Sequence, residues 1–352
     1  MKILLVFHGG NPLPPEPWDS VGNIIWRQKA FLTERGHSVT IHNQKGRIWN
    51  VLLARPWDYD IVHIHDDGRC KLWAPIQQVF KFRLALTSHF AYTIFRNLWH
   101  KKYPATYFST LKVPYHIALS AEMRQFAYDN GYKGKAWVLP NAIHTEEVAF
   151  NPAPAPKQAI VLGRVYPRKK QRFLSDLLLS EESLQLDLYG PTNEPDFLGN
   201  GKNVVYRGLW DREQVRNNLT DYAVMILISD GEAHAVVIIE ALAAGLSLVV
   251  SAEAAHNLDT SLPWIHVVDR DNPEEIIAAL KRAIAENAQY RAAIRAYCER
   301  AFDWRVIGPR YLRIVEAIVQ GDGSEDGGEP FLYVPQAAED AAGRSSVRGS
   351  TA

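Results

Sequence analysis

The chain predicts an α/β protein made of two Rossmann-like, doubly wound domains that face each other across a cleft. Three observations carry that expectation. At 352 residues the chain exceeds what one hydrophobic core usually supports, since domains mostly run to about 100–200 residues. Short apolar runs alternate with helix-period segments, the pattern of a parallel sheet covered by helices. The alternation is interrupted between His144 and Lys157 by the proline-rich EEVAFNPAPAP, which has neither period and reads as a semi-rigid connection between domains.

The elements follow in order. Lys2–Phe7 is rich in β-formers, and after a Gly/Pro loop Ser20 can cap a helix that runs to Arg35 and stops at Gly36. Further strands are expected at Ser38–Ile41, Ile61–Ile64, Leu84–Thr87, His116–Leu119 and Trp137–Leu139, with a helix over Glu122–Asn130 ended by Gly131. These make a first domain over residues 1–143, with 144–157 as linker. The alternation then restarts over 158–303. Strands are expected at Ala159–Leu162, Leu186–Tyr189, Val204–Tyr206, Val224–Ile228, Leu248–Val250 and Ile265–Val267, and helices near Lys170, Asp211, Val236 and Pro273. A last helix from Trp304, over 304–320, is expected to return toward the first domain. The Gly/Ser/Ala/Asp/Glu-rich residues 321–352 read as a flexible tail.

Composition excludes several classes. Hydrophobic residues are 47% and charged ones 22% of the chain, the balance of an ordinary globular protein. No apolar run reaches the roughly 18 residues of a spanning helix, and MKILLVFHGG is too short to be a secretion signal, so a cytoplasmic protein is expected. Cys70 and Cys298 form neither a disulfide framework nor a metal-binding spacing. Lys+Arg and Asp+Glu both total 39, yet residues 1–150 hold 18 basic against 11 acidic side chains and the rest of the chain holds the balancing acidic excess. From Gly68 to Ala121 there are eight Lys/Arg and no acid, which suits an anionic partner. With no nucleic-acid motif and an acidic second half, that partner is not RNA or DNA.

Two segments carry the chemistry. In Ser229–Gly245, SDGEAHAVVIIEALAAG, a strand ends, a loop carries Glu232, and a helix from Val236 carries Glu240 in its second turn. Free N–H groups at such a helix start favour a phosphate, and a carboxylate can bind sugar or ribose hydroxyls. Taken alone, the spacing is equally that of a capping acid and a solvated helix acid. The apolar flanks and the small Ala241, Ala243, Ala244 and Gly245 make Glu240 a lone acid that calls for a partner. The other segment is Gly163-Arg164-Val165-Tyr166-Pro167-Arg168-Lys169-Lys170, directly after the first strand of the second domain. Gly163 permits close backbone approach, and Arg164 and Lys169 offer a fork and a point charge to a diphosphate. An exposed basic loop is the plain alternative; four cations in seven residues at a strand's C-terminal edge favour phosphate binding.

Together these segments resemble the retaining family 4 glycosyltransferases of the GT-B fold, which carry a GR-x4-K loop and an E-x7-E element in this order. Gly9-Gly10, Ser88-His89, Pro140-Asn141, Tyr189-Gly190 and Phe302-Asp303-Trp304 add matches along most of the chain. The resemblance implies a hexosyltransferase acting from a nucleotide-diphosphate sugar, with no cofactor and no metal. Its catalytic residues would be His89, Arg164, Lys169 and Glu232. Its donor site would comprise Gly10, Gly163, Arg164, Lys169, Gly190, Glu232, His234, Ala235 and Glu240, with Glu232 on the sugar and Glu240 on the ribose. The acceptor would be a glycan, a lipid-linked glycan or a small molecule. His234-Ala235 stands where the family commonly has Phe-Gly, Ala142 where it has Gly, and Lys170 where it has Gly; the first exchange places a different side chain and an added Cβ near the sugar. A nucleotide-sugar epimerase shares this architecture, and a non-catalytic nucleotide-sugar-binding subunit would share the site.

Three features stand beside the resemblance. His63, His65, Asp66 and Asp67 form the string HIHDD, a candidate metal cluster by composition, whereas the resemblance implies no metal. His89 itself is either the group beside the reacting sugar or a hydrogen-bonded structural histidine. The acid-free stretch also holds Trp73, Phe80, Phe82, Tyr92, Trp99 and Tyr107 with Arg96, Lys101 and Lys102. It fits either core packing or peripheral contact with an anionic membrane at its inner face.

Overall fold

The structure is a computed structural model that describes residues 1–321 except 11, 17–18, 96–103, 155 and 193–195. The first domain runs β1 Lys2–Val6, α1 Ser20–Glu34, β2 Ser38–His42, α2 Ile48–Leu53, β3 Ile61–Ile64, α3 Cys70–Phe80, β4 Leu84–Leu86, α4 Pro104–Thr110, β5 Tyr115–Ala118, α5 Ala121–Asp129 and β6 Lys135–Val138. Its sheet has the order β2-β1-β3-β4-β5-β6, with every neighbouring pair parallel. The second domain runs β7 Lys157–Leu162, α6 Gln171–Leu177, β8 Leu186–Tyr189, β9 Val204–Gly208, α7 Arg212–Asn218, β10 Tyr222–Leu227, α8 Val236–Ala243, β11 Ser247–Ser251, β12 Ile265–Val268 and α9 Pro273–Phe302, and α10 Trp304–Gln320 follows it. Its sheet has the order β12-β11-β10-β7-β8-β9, again parallel throughout.

The strands form where they do because helices cover both faces. β10, YAVMIL, is buried at every position, which is why it reads as a continuous apolar run instead of an alternation. The strand order reverses between β7 and β10, and in the first sheet between β1 and β3. At each reversal the connections leave in opposite directions and open a crevice at the C-terminal edge. The loops after β7 and β10 carry the two basic and acidic segments.

Several local expectations are corrected. Asp19, not Ser20, caps α1, its carboxylate accepting from the Gly22 N–H at 2.8 Å. Helices α2, α3 and α4 occupy sequence that carried no predicted helix. α3 contains Pro75, whose missing N–H and ring normally interrupt a helix, yet Cys70, Trp73, Ala74 and Ile76 pack into the sheet. Burial also removes Trp73, Phe82, Tyr92 and Tyr107 from any membrane surface. Trp99, Arg96, Lys101 and Lys102, and the tail after Gly321, lie outside the described residues. Among the described residues no helix is long and apolar enough to cross a membrane.

The linker is fastened more firmly than its prolines alone require. Arg291 of α9 is fully buried and donates to the Asn151, Thr220, Tyr222 and Ala244 carbonyls at 2.8–3.0 Å. Arg295 reaches the Thr145, Val148 and Ala243 carbonyls. These guanidiniums bind the connecting segment to the second domain. α10 packs the other way: Trp304, Ile307, Tyr311, Ile314 and Ile318 share a core with Ile3, Leu5, Phe7 and Phe31 of the first domain. At the turn between α9 and α10, Asp303 accepts from the Arg305 N–H at 2.7 Å and from the Thr145 hydroxyl at 2.5 Å.

Candidate functional site

The crevice of the second domain is built from two glycine-dependent loops. Gly163 at the end of β7 has φ 150° and Gly190 at the end of β8 has φ 145°. The Gly163 N–H donates to the Tyr189 carbonyl at 2.8 Å, and a Cβ on Gly190 would lie 2.1 Å from the Gly163 oxygen. Such closeness leaves no room for any side chain. A Cβ on Gly163 would meet the Lys169 ammonium at 3.1 Å, so the chain turns its lysine back over the glycine.

That turn brings residues from both segments together. Lys169 Nζ and an Arg168 guanidinium nitrogen each lie 3.4 Å from Glu232 Oε1, and Arg168 also donates to the Gly231 carbonyl. Glu232 is buried and does not cap α8. The cap position is Ala235, buried and without a side-chain hydrogen bond, so the free N–H groups of α8 are not claimed by a capping side chain. Arg164 is exposed in the same loop, and among the described residues its side chain enters no ion pair. Lys170 has φ 54°, which accounts for the glycine common there in the family it resembles; its ammonium is anchored by Asp271 and by Asp230 at 3.7 Å.

Glu240 sits on α8 one crevice wall further in. It lines an interdomain pocket with Asn23 and Arg27 of α1 and Trp210, Arg212 and Val237 of the second domain. Burial pushes its carboxyl up to about 7, against the opposing pull of Arg212, Arg27 and Arg216. Arg27 and Arg216 both bind Glu147 of the linker, and Arg212 donates to Asn23. No sequence spacing announced these arginines: Arg27 and Glu147 are 120 residues apart.

His234 is turned away from open space. Its Nδ1 accepts from the Asn141 N–H at 2.9 Å, and its carbonyl accepts from the Asn141 side chain at 2.8 Å, so the Pro140-Asn141 pair positions this loop. Burial lowers the imidazole to about 3, and the ring is neutral with its proton on Nε2.

The first domain supplies the facing wall. Gly9 has φ 75° and lies against the Gln44 carbonyl, where a Cβ would come within 2.3 Å; the adjacent Gly10 is exposed at the crevice edge. His89 follows β4, its Nε2 3.2 Å from His65 Nδ1, and burial lowers it to about 4. It is thus a neutral hydrogen-bonding group at ordinary pH. The segment just after it packs across the interface, Ala91 and Ile94 against Ala233. Both ring nitrogens of His63 are taken, by Tyr311 at 2.9 Å and Thr87 at 2.8 Å, so this histidine of the HIHDD string is a structural link between β3 and α10. Among the described residues no group of three or more His, Cys, Asp or Glu is placed to hold a metal ion.

Two facing parallel α/β domains, with a glycine- and cation-bearing loop at the switch point of the second, define the class of GT-B scaffolds. Residues 156–286, most of the second domain, match the family model described as Glycosyl transferases group 1. A search of curated protein sequences finds no match. Among solved structures, the sucrose-phosphate synthase of Thermosynechococcus elongatus superposes with TM-score 0.76 at 14% identity, over 91% of this chain and 100% of that one. HepE of Anabaena in complex with UDP-glucose gives TM-score 0.70 at 14% identity, covering 90% and 100%. The lipopolysaccharide outer core galactosyltransferase WaaB gives 0.67 at 15% identity, covering 91% and 99%. These likenesses establish the fold.

Proposed function

We propose that the protein is a retaining hexosyltransferase that moves a sugar from a nucleotide-diphosphate donor to a glycan, lipid-linked or small-molecule acceptor, with no cofactor and no metal ion. The observation that carries this reading is the convergence of Arg168, Lys169 and Glu232 within 3.4 Å contacts at the switch point between β7 and β10. The group-1 family match and the UDP-glucose complex of a similar fold support a nucleotide-sugar donor.

In this reading Arg164 and Lys169 hold the diphosphate, Gly163, Gly190 and Gly10 let backbone approach it, and Glu232 accepts hydrogen bonds from the sugar hydroxyls. Glu240 takes the ribose, while His234 and Ala235 shape the sugar pocket. As the anomeric carbon–oxygen bond breaks, its electron pair leaves with the phosphate oxygen and the cations stabilise the growing charge. The acceptor hydroxyl bonds to the anomeric carbon on the same face, and its proton passes to the departing phosphate oxygen. His89, neutral and fixed by His65, hydrogen-bonds the sugar from the opposite wall. The protein acts in the cytoplasm, in peripheral contact with an anionic membrane.

A turnover screen of UDP- and GDP-sugars, following nucleoside diphosphate release and the anomeric proton of the product, tests the proposal. Release that needs an acceptor, persists in chelator and yields a retained linkage is expected. Conversion of donor without acceptor would identify an epimerase, and donor-induced thermal stabilisation without turnover a binding subunit.

A further inference from the structure

Away from the crevice, the first domain carries an apolar face that nothing in the described fold covers. α2 sends Val51 into the core beside Trp73 and turns its other side outward, leaving Trp49 70% and Leu53 79% exposed, with Ile48 beside them. Just beyond α2, Trp57 stacks on Phe80 at the end of α3, ring centroids 4.7 Å apart, and both remain open to solvent. A six-residue helix that shows two of its largest apolar groups to water is an unusual use of sequence, and a continuous exposed patch of this kind marks an interaction surface.

The charge around it identifies the partner. Lys45, Arg47, Lys81 and Arg83 flank these apolar residues in the chain and are exposed, and among the described residues none is held in an ion pair. Between Glu34 and Asp58 the sequence has no acidic residue, and Asp58 is itself paired with Arg55 at 2.6 Å. Two copies of this chain meeting face to face would set these cations against each other, since a two-fold interface repeats the same surface. Exposed tryptophan, leucine and phenylalanine flanked in the chain by lysine and arginine are instead what a headgroup layer receives, apolar side chains entering and cations meeting phosphate.

We infer that the face formed by α2, Trp57 and the end of α3 docks on an anionic lipid bilayer. This deepens the membrane contact named above and places it on residues 45–83, while Tyr92 and Tyr107 of the basic stretch beyond them pack inside. It does not depend on the transfer chemistry.

Sedimentation of the full chain with vesicles of phosphatidylcholine and phosphatidylglycerol, three to one, against phosphatidylcholine alone, tests the inference. Binding is expected to the anionic vesicles and to fall with salt. Trp49→Ser with Leu53→Ser should lower partitioning about tenfold or more, and Lys45→Glu with Arg47→Glu should remove the preference for anionic lipid. Circular dichroism melts of both variants should match the parent, because the altered side chains are exposed. Absence of sedimentation with anionic vesicles, or equal binding by folded variants, overturns the inference. So does concentration-dependent dimerisation that the Trp49/Leu53 variant abolishes, which would assign the face to a second copy. Donor turnover measured in parallel keeps the outcomes separate: turnover without vesicle binding refutes the docking face and leaves the transfer reading standing.

Discussion

The ammonium of Lys169 and Oε1 of Glu232 lie 3.4 Å apart, joining a loop after β7 to a loop after β10. The pair holds the lysine over Gly163, so a cation is in position before any ligand arrives. Lys169→Ala is expected to lower turnover by about 10²–10³-fold, the scale of losing one group that stabilises developing charge. Arg164→Ala should act similarly, and with Arg164 exposed its melting temperature should stay close to the parent's. Steady-state kinetics beside thermal melts decide the matter; unchanged turnover in both variants would refute the site.

Glu240 gives a pH signature. Its carboxyl is raised by burial from an ordinary value of 4.5 to about 7. Below about pH 4.5 it is protonated whether the chain is folded or unfolded and contributes no slope. Between there and about 7 the unfolded chain has lost the proton that the folded chain still binds, so stability falls as pH rises, and it levels off above 7. Glu240→Gln should remove this fall, so the melting temperature of the variant relative to the parent should climb between pH 5 and 7.5. A constant difference across that range would count against a buried carboxyl.

Gly190 admits no side chain. Gly190→Ala places a Cβ 2.1 Å from the Gly163 carbonyl oxygen at a φ of 145°, and backbone strain of this kind costs roughly 1–3 kcal/mol. The variant should melt several degrees lower and lose donor-induced stabilisation, because the loop that must move carries Arg164. Gly36→Ala, at a glycine with φ 80° but open space around it, serves as the comparison for strain away from the site.

Asp303 is the acid-sensitive joint. Burial raises its carboxyl, but hydrogen bonds from Arg305 and Thr145 outweigh that and hold it at about 2, below an ordinary 3.8. The stabilisation is therefore complete above about pH 4 and is lost as pH falls through about 2. Asp303→Asn should weaken the docking of α10 at neutral pH by about 1–2 kcal/mol, measured by urea denaturation. Its stability should also fall less steeply than the parent's on acidification between pH 4 and 2.

Much of the second domain was legible because its signals are local. β10 is apolar at six consecutive positions, α8 begins where the apolar run resumes after Ala235, and Gly163, Arg164 and Lys169 lie within seven residues of one another. Periodicity and spacing report such things directly. α3 was illegible for an equally local reason, since Pro75 contradicts the helical pattern that tertiary packing of Trp73 and Ile76 sustains.

By itself the sequence determined the two α/β layers, the proline-rich joint between them and the identity of the charged residues at the second switch point. Tertiary structure alone decided which charges meet. Arg27, Glu147 and Arg216 come from a helix, the linker and the other domain, and nothing in their chain positions relates them. It also decided which aromatics are core and which are surface: Trp73 is buried and Trp49 exposed. Composition treats the two tryptophans alike, and whether a neighbouring element covers one of them depends on how the whole chain packs.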